Sequence, residues 1–369
     1  MNDIKDTGKA GRYAALKTRL FLADLILSAI WIVLFQLLFS RGLADAAGEL
    51  AGSFYLSCVI YGSAFMAYMY TLSFPVHFYA SYTVEHSFGL SSQGLTGWFK
   101  DEIKGVTLSY VLSLGCLLGF YLILRTFNAY WWAIAGTVWV FFTVVLARLF
   151  PVIIIPLFYK YLPLGDDALK AKILDLAEKT GIGVMDVCRI DMSRKTKKAN
   201  AAIVGIGATK RVILSDTLAE AFDHDEALAV IAHEFGHHRH GHIRKLLAFS
   251  AVVTYSGFYL LYIVLEKIAA VSGARGIDDL YMLPVLILLM SVFGLALLPL
   301  QNFFSRVLER EADAFALEHS SGVATFVSVM EKLARMNLAE REPSLIKKIF
   351  FYDHPPINER IRYAESRPK

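Results

Sequence analysis

Residues His233-Glu234-Phe235-Gly236-His237 carry the parts of a hydrolytic metal site. On a helix, residues four apart share a face, so His233 and His237 can bind one zinc ion together. Glu234 sits beside the first imidazole and can reach a water on that ion, where it would act as general base. The run just before it reads as a helix start. Asp223 with Glu226 three residues later is a capping-box pattern, and Asp225 adds negative charge to the first turn. A five-residue pattern also arises by chance on polar helices, so the assignment depends on a third ligand.

A catalytic zinc normally takes three protein ligands and one water. Glu309, in the stretch Ser305 to Asp313, is the best third candidate. His237 precedes the start of an apolar run near 246 by nine residues, and Glu309 follows the end of another near 300 by nine. If both runs continue as helices, the two ligands lie at matched depth, roughly 14 Å beyond the apolar stretch at 1.5 Å per residue. Asp313, one turn further, can accept a hydrogen bond from a ligand histidine and fix its tautomer. Glu311 is about 200° from Glu309 around the helix and reads as solvated. His238 and His242 project about 140° and 180° away from His233 on a continuous helix, so with His240 they read as solvated or interfacial.

The elements that must position these groups are mostly apolar. The chain has 369 residues, 56% of them hydrophobic, with mean hydropathy +0.48, too apolar for an ordinary soluble domain. Six runs are long enough to cross a bilayer, at roughly 18–39, 54–76, 105–125, 130–157, 246–266 and 280–300. The fourth contains Arg148, Pro151 and Pro156 and is expected to kink. Arg148 lies toward one end, where it can snorkel or pair. Lys5, Lys9, Arg12, Lys17 and Arg19 precede the first run, which is too long for a cleaved signal, and they place the N-terminus in the cytoplasm. Six crossings return the C-terminus to that side. The loops agree: 40–53 and 126–129 hold one basic residue, Arg41, whereas 158–245 and 301–369 are rich in Lys and Arg. The 267–279 loop is neutral, with Lys267 and Arg275 against Asp278 and Asp279. Net charge is only +4 and no basic–aromatic module is present, which excludes nucleic acid as partner. Cys58, Cys116 and Cys188 suggest neither a disulfide framework nor a metal site.

Residues 1–157 form a membrane region of four spans, and 158–369 form a polar cap into which spans five and six are inserted. The cap is expected to hold a helix over 166–180 ending at Gly181, then strands at 186–191, 201–206 and 211–215, then the helix of the metal motif. Residues 301–369 read as mostly helical and close on Asp353-His354-Pro355-Pro356. The fold class expected is mainly α, a polytopic membrane protein whose six helices enclose a chamber, capped by a metal-binding unit with a small β-sheet.

From about residue 12 to 363 the chain resembles the type I CAAX prenyl endopeptidases, integral-membrane zinc proteases of gluzincin type, with the HtpX proteases as more distant relatives. The resemblance rests on Ala232 to His237, on Ser305-Arg306 through Glu309 to Ala312-Asp313, and on His354-Pro355-Pro356 with Glu359-Arg360. Asn200-Ala201, Lys210 to Leu214 and Asp216-Thr217-Leu218 add to it. Pro75, Tyr79, Glu85, Phe88-Gly89, Asp101, Lys104, Trp131-Trp132 and Pro151 separate it from HtpX. It implies one zinc per chain on His233, His237 and Glu309, with Glu234 activating water. It further implies that His354, assisted by Arg360, stabilises the oxyanion, and that Asn200 and Ala201 lie on an edge strand that pairs with substrate. The chain departs from the family in having six spans where seven are usual. Gly205 and Gly207 also stand where an aromatic-rich run is common.

Three activities compete: an endopeptidase cutting near the C-terminus of prenylated or membrane-anchored proteins, a quality-control protease for membrane proteins, and a metal transporter. A transporter places its ligands near the bilayer midplane, whereas these lie in polar flanks and Glu234 would have no task. A protease requires a peptide or protein substrate and a lipid bilayer around it. The site and both termini are expected on the cytoplasmic face of a bacterial inner membrane, or of the endoplasmic reticulum in a eukaryote.

Overall fold

The computed structural model describes residues 2–205 and 210–367. α1 (Asn2–Leu38) and the short α2 (Ser40–Leu50) lead into α3 (Phe54–Phe78), α4 (Leu95–Thr126) and α5 (Trp131–Leu149). The polar cap then begins with β1 (Tyr161–Pro163), α6 (Asp167–Lys179), β2 (Asp186–Ile190), β3 (Ala201–Val204), β4 (Arg211–Ser215) and α7 (Asp216–Ala221). α8 (His224–Arg239) carries the metal motif, and α9 (His242–Ser272) and α10 (Leu283–His319) are the last two long apolar helices. α11 (Val323–Asn337), α12 (Leu345–Phe351) and α13 (Ile357–Glu365) follow.

Six helices among the described residues are long and apolar enough to cross a membrane. Each packs on the next in the order α1, α3, α4, α5, α9, α10, and α10 returns to α1. The contacts close a ring. In the most apolar stretch of each helix, between 0% and 28% of residues are buried. A solid bundle buries a stripe along every member; these helices bury little of their surface against one another. Two of them run on through π turns, α3 at Tyr79–Thr83 and α5 at Phe150–Ile154. The second contains Pro151, which removes a helical donor within the run expected to kink. Lys104 Nζ donates to Leu157 O at 2.9 Å just beyond it.

The end of the ring away from the cap is joined by ion pairs: Arg41–Asp279 at 2.9 Å, Arg125–Asp278 at 3.2 Å and Arg275–Asp45 at 2.7 Å. Arg41 and Arg125 also lie 3.9 and 3.8 Å over the rings of Tyr281 and Phe54. This accounts for the neutral 267–279 loop, since its aspartates answer arginines from other links. All three cysteines are free.

In the cap the strands are ordered β1-β2-β4-β3, with β2 and β4 parallel (Asp186 opposite Arg211) and β3 antiparallel on β4 (Ala201 opposite Leu214). β3 ends at Val204; Ile206 of the expected run, and Gly207 beyond it, lie outside the described residues. β1, at three residues, was too short to show a pattern in the sequence. One core joins the layers: Ile173 of α6, Val212 and Leu214 of β4, Ile231 and Phe235 of α8, Phe315 of α10 and Phe326 of α11. The capping box of α8 forms as expected, Asp223 and Glu226 each bonding the other's backbone N–H.

α8 packs on α10 more extensively than any other two elements pack on each other. Gly236 is the crossing point: a Cβ there would lie 2.9 Å from Ala312 Cα and 3.0 Å from Phe315 Cβ. α10 is unbroken from the apolar run through Glu309, as expected. The matching expectation for His237 is corrected. α8 is not an extension of α9, because Gly241 adopts a left-handed conformation (φ 64°) between them and turns the chain. Gly236→Ala should lower stability by about 1–3 kcal/mol, the usual range for overpacking against backbone, and should loosen metal binding with it. A thermal transition in detergent equal to that of the parent would show that the helices have room to separate.

Candidate active site

The α8–α10 crossing brings three donors together. His233 Nε2 lies 3.1 Å from His237 Nε2, and each is 3.3 Å from an oxygen of Glu309. One ligand atom from each residue falls within 4.8 Å of the others. Glu309 is 5% exposed, and its Oε2 has no hydrogen-bond partner. A buried carboxylate is either paired or bound to a cation, and the groups facing this one are the two imidazole nitrogens. Two imidazole nitrogens and a carboxylate fit a divalent metal ion. The cluster already seeks positive charge. Burial works to lower the basicity of His233, but the hydrogen bond to Asp313 and the nearby Glu309 carboxylate overcome it and raise its pKa to about 9.

Asp313 stands one turn beyond Glu309, and its side chain is 1% exposed. Its Oδ1 lies 2.9 Å from His233 Nδ1, and Arg360 reaches across to both of its oxygens, Nε donating to Oδ2 at 2.8 Å. Arg360 of α13 thereby ties the C-terminal helix to the metal cluster. Glu234 lies between the ligands in sequence and beside them in space. Burial raises its carboxyl pKa; the two histidines oppose that, and Glu309 adds to it. His354 is half-exposed, with Nε2 3.3 Å from Glu309 Oε1 and Nδ1 2.9 Å from Asp353 Oδ1. The bond to Asp353 raises its pKa, against the effect of burial.

Asn200 is exposed and Ala201 opens β3, the terminal strand of the sheet, whose outer edge pairs with no other strand among the described residues. α8 packs on β3. The Asn200 backbone is engaged with Ser215, its N–H donating to Ser215 Oγ and its carbonyl accepting from Ser215 N, both at 2.9 Å.

Two expectations are corrected here. His242, expected to face away from the ligands as solvated or interfacial, is buried at an interface and lies against His237; Glu311 does point away from Glu309 but is bonded to His242 and Lys245. The projection that sent His242 to the far face assumed one continuous helix, and Gly241 ends it. That glycine was the signal available in the sequence. Asp353 was also missed as the partner of His354, although it stands immediately before it.

Residues 163–368 match the model of peptidase family M48, and residues 3–160 match the CAAX prenyl protease N-terminal region, described as five membrane helices. The chain belongs to peptidase family M48. It is 34% identical to an uncharacterized metalloprotease of Bacillus subtilis, over 77% of this chain and 68% of that one. It is 30% identical to CAAX prenyl protease 1 of Saccharomyces cerevisiae, over 78% and 67%. The crystal structure of S. mikatae Ste24p superposes with TM-score 0.86 at 25% identity, covering 98% of this chain and 89% of that one. The chain is therefore an integral-membrane metalloendopeptidase with a metal cofactor and a peptide or protein substrate, and the transporter reading falls. Within 3–160 the described residues hold four helices of spanning length where the family description counts five, α2 being too short.

Removing Arg360 would leave the Asp313 carboxylate buried without its ionic partner. Arg360→Met should cost about 3–5 kcal/mol of stability, the range for breaking one side of a buried pair, read as an earlier thermal transition. Arg360→Lys should recover only part, since an ammonium cannot grip both oxygens. An unchanged transition in Arg360→Met would mean that Asp313 needs no partner.

Proposed function

We propose that His233, His237 and Glu309 hold one zinc ion and that the chain uses it to cut near the C-terminus of membrane-anchored, prenylated proteins. The observation that carries the site is the convergence of those donors around the buried Glu309 carboxylate. When bound, zinc supplies a Lewis acid that brings water near neutral pKa and polarises the scissile carbonyl. Glu234 takes the proton from the attacking water and passes it to the leaving amine; burial, by raising its carboxyl, suits it to both halves of that transfer. Asp313 holds the Nδ1 hydrogen of His233 and so aims the Nε2 lone pair at the ion, and Arg360 keeps Asp313 ionised. His354, made more basic by Asp353, turns Nε2 toward the same cluster, where a donor stabilises the oxyanion. Asn200 and Ala201 begin the terminal strand of the sheet, whose outer edge accepts an extended peptide backbone. The prenylated class follows from likeness to the CAAX prenyl protease 1 relatives and from a wall open to lipid on its outer face.

Glu234→Gln should keep its zinc while hydrolysis drops by at least about 100-fold; Glu309→Ala should lose zinc and activity together. Purified protein should cleave a farnesylated peptide faster than the unmodified one. Equal rates would favour general cleavage of membrane proteins, the HtpX-type activity, and near-native cleavage by Glu234→Gln would remove it as the base.

The same reading places both termini and the site in the cytoplasm, of a bacterial inner membrane or of the endoplasmic reticulum. It rests on the Lys/Arg-rich flanks of the cap and on the pairing of Arg41, Arg125 and Arg275 with aspartates at the other end of the ring. Single cysteines introduced at the exposed Ala46 and Ser344 should label from opposite sides of the membrane. Labelling from one side would break this topology.

A further inference from the structure

His242 is one residue past the break at Gly241, and its side chain is 1% exposed. Its Nδ1 lies 2.9 Å from His237 Nδ1 and its Nε2 lies 3.0 Å from Glu311 Oε2. Glu311 Oε2 also accepts from Lys245 Nζ at 2.7 Å. The metal site described above gives these three residues no task.

The placement of hydrogens along this chain is forced once His237 is a ligand. To offer a lone pair at Nε2, the neutral imidazole must carry its hydrogen on Nδ1. Two ring nitrogens 2.9 Å apart bond only when one donates and the other accepts. His242 Nδ1 is therefore the acceptor. Its own hydrogen then sits on Nε2 and is donated to the Glu311 carboxylate, which Lys245 keeps ionised. The opposite tautomer of His237 would put a hydrogen on Nε2, 3.1 Å from His233 Nε2, in the place the cation needs.

We propose that His242 is a positioning residue that holds His237 in its ligating tautomer and orientation, with Glu311 and Lys245 fixing His242 in turn. The two ligand rings are thus set by different devices. A carboxylate acts directly on His233 through Asp313, whereas an imidazole stands between His237 and its carboxylate. The inference rests on the ligand assignment proposed above.

The test is the zinc affinity of the purified full-length protein, measured by competition with a chelator. His242→Phe keeps a ring in the space but removes the acceptor, and should weaken zinc binding about 10- to 100-fold, the usual effect of losing such a partner. His242→Asn can present an amide oxygen near the position of Nδ1 and should recover most of the loss. Glu311→Gln can still accept and should lose less than His242→Phe. Nitrogen-15 spectra of histidine-labelled, zinc-loaded protein should show His237 protonated on Nδ1 and His242 on Nε2. Parent affinity in His242→Phe overturns the proposal, as does equal weakening in the Asn and Phe variants, which would mean that packing alone matters. The reverse tautomer at His242 overturns it too. His233→Ala separates the two levels: if that variant binds zinc normally, the ligand assignment itself fails, whereas its loss of zinc beside a normal His242→Phe refutes only the role of His242.

Discussion

The missing side chain of Gly236 is what lets this active site exist. The first two proposed ligands lie on α8 and the third on α10, and imidazole and carboxylate arms are short. They meet around one ion only if the two backbones approach to the limit of contact, with Gly236 against Ala312. The rest of the cap serves that approach. α6, β4 and α11 contribute to the core behind α8, and α13 returns to α10 so that Arg360 can neutralise Asp313 at its back. Even the capping box belongs to this scheme: Glu226 bonds Ser328 and Lys332 of α11 as well as its own helix start.

Most of the centre was legible because its chemistry admits few residue types. The pair four apart, the glutamate between them and an acidic helix at matched distance beyond an apolar run left Glu309 and Asp313 as the natural candidates. The spans were legible for a related reason, since a bilayer demands long apolar helices and tolerates no other open form. What escaped was set by local backbone breaks. His242 was assigned to the wrong face because a projection at 100° per residue holds only while the helix continues, and one left-handed glycine at 241 ends it. The π turn at Phe150–Ile154 escaped likewise, because a proline announces an interruption but not its register. β1 has three residues and takes its conformation from pairing with β2, as Tyr161 opposite Ile190 shows.

The surroundings of the two histidine ligands differ in a way that matters for the electrostatics of the site. Asp313 brings a full charge against His233 but shares it with Arg360, so little net charge remains there. Glu311 stands one ring further from its ligand and is partly screened by solvent and by Lys245. The protein thus orients both rings while adding little uncompensated negative charge beyond Glu309 and Glu234. That restraint bears on the base role proposed for Glu234, since further anions would raise its carboxyl beyond what burial already does.

The ring of helices is not equally bonded around its circumference. Tyr70 donates to Glu102 and Ser63 pairs with Tyr110 between α3 and α4, Thr137 meets Tyr255 between α5 and α9, and Glu311 binds His242 and Lys245 between α9 and α10. Tyr68 reaches a carbonyl of α1 from α3, and Lys104 of α4 one at the end of the α5 extension. Between α1 and α10, among the described residues, no hydrogen bond crosses. That boundary is held by side-chain contact alone, in a medium where lipid tails solvate an apolar helix about as well as another helix does. It is accordingly the line along which this wall can part with the least loss of directional bonding, and α10, on one side of it, is the helix that bears Glu309.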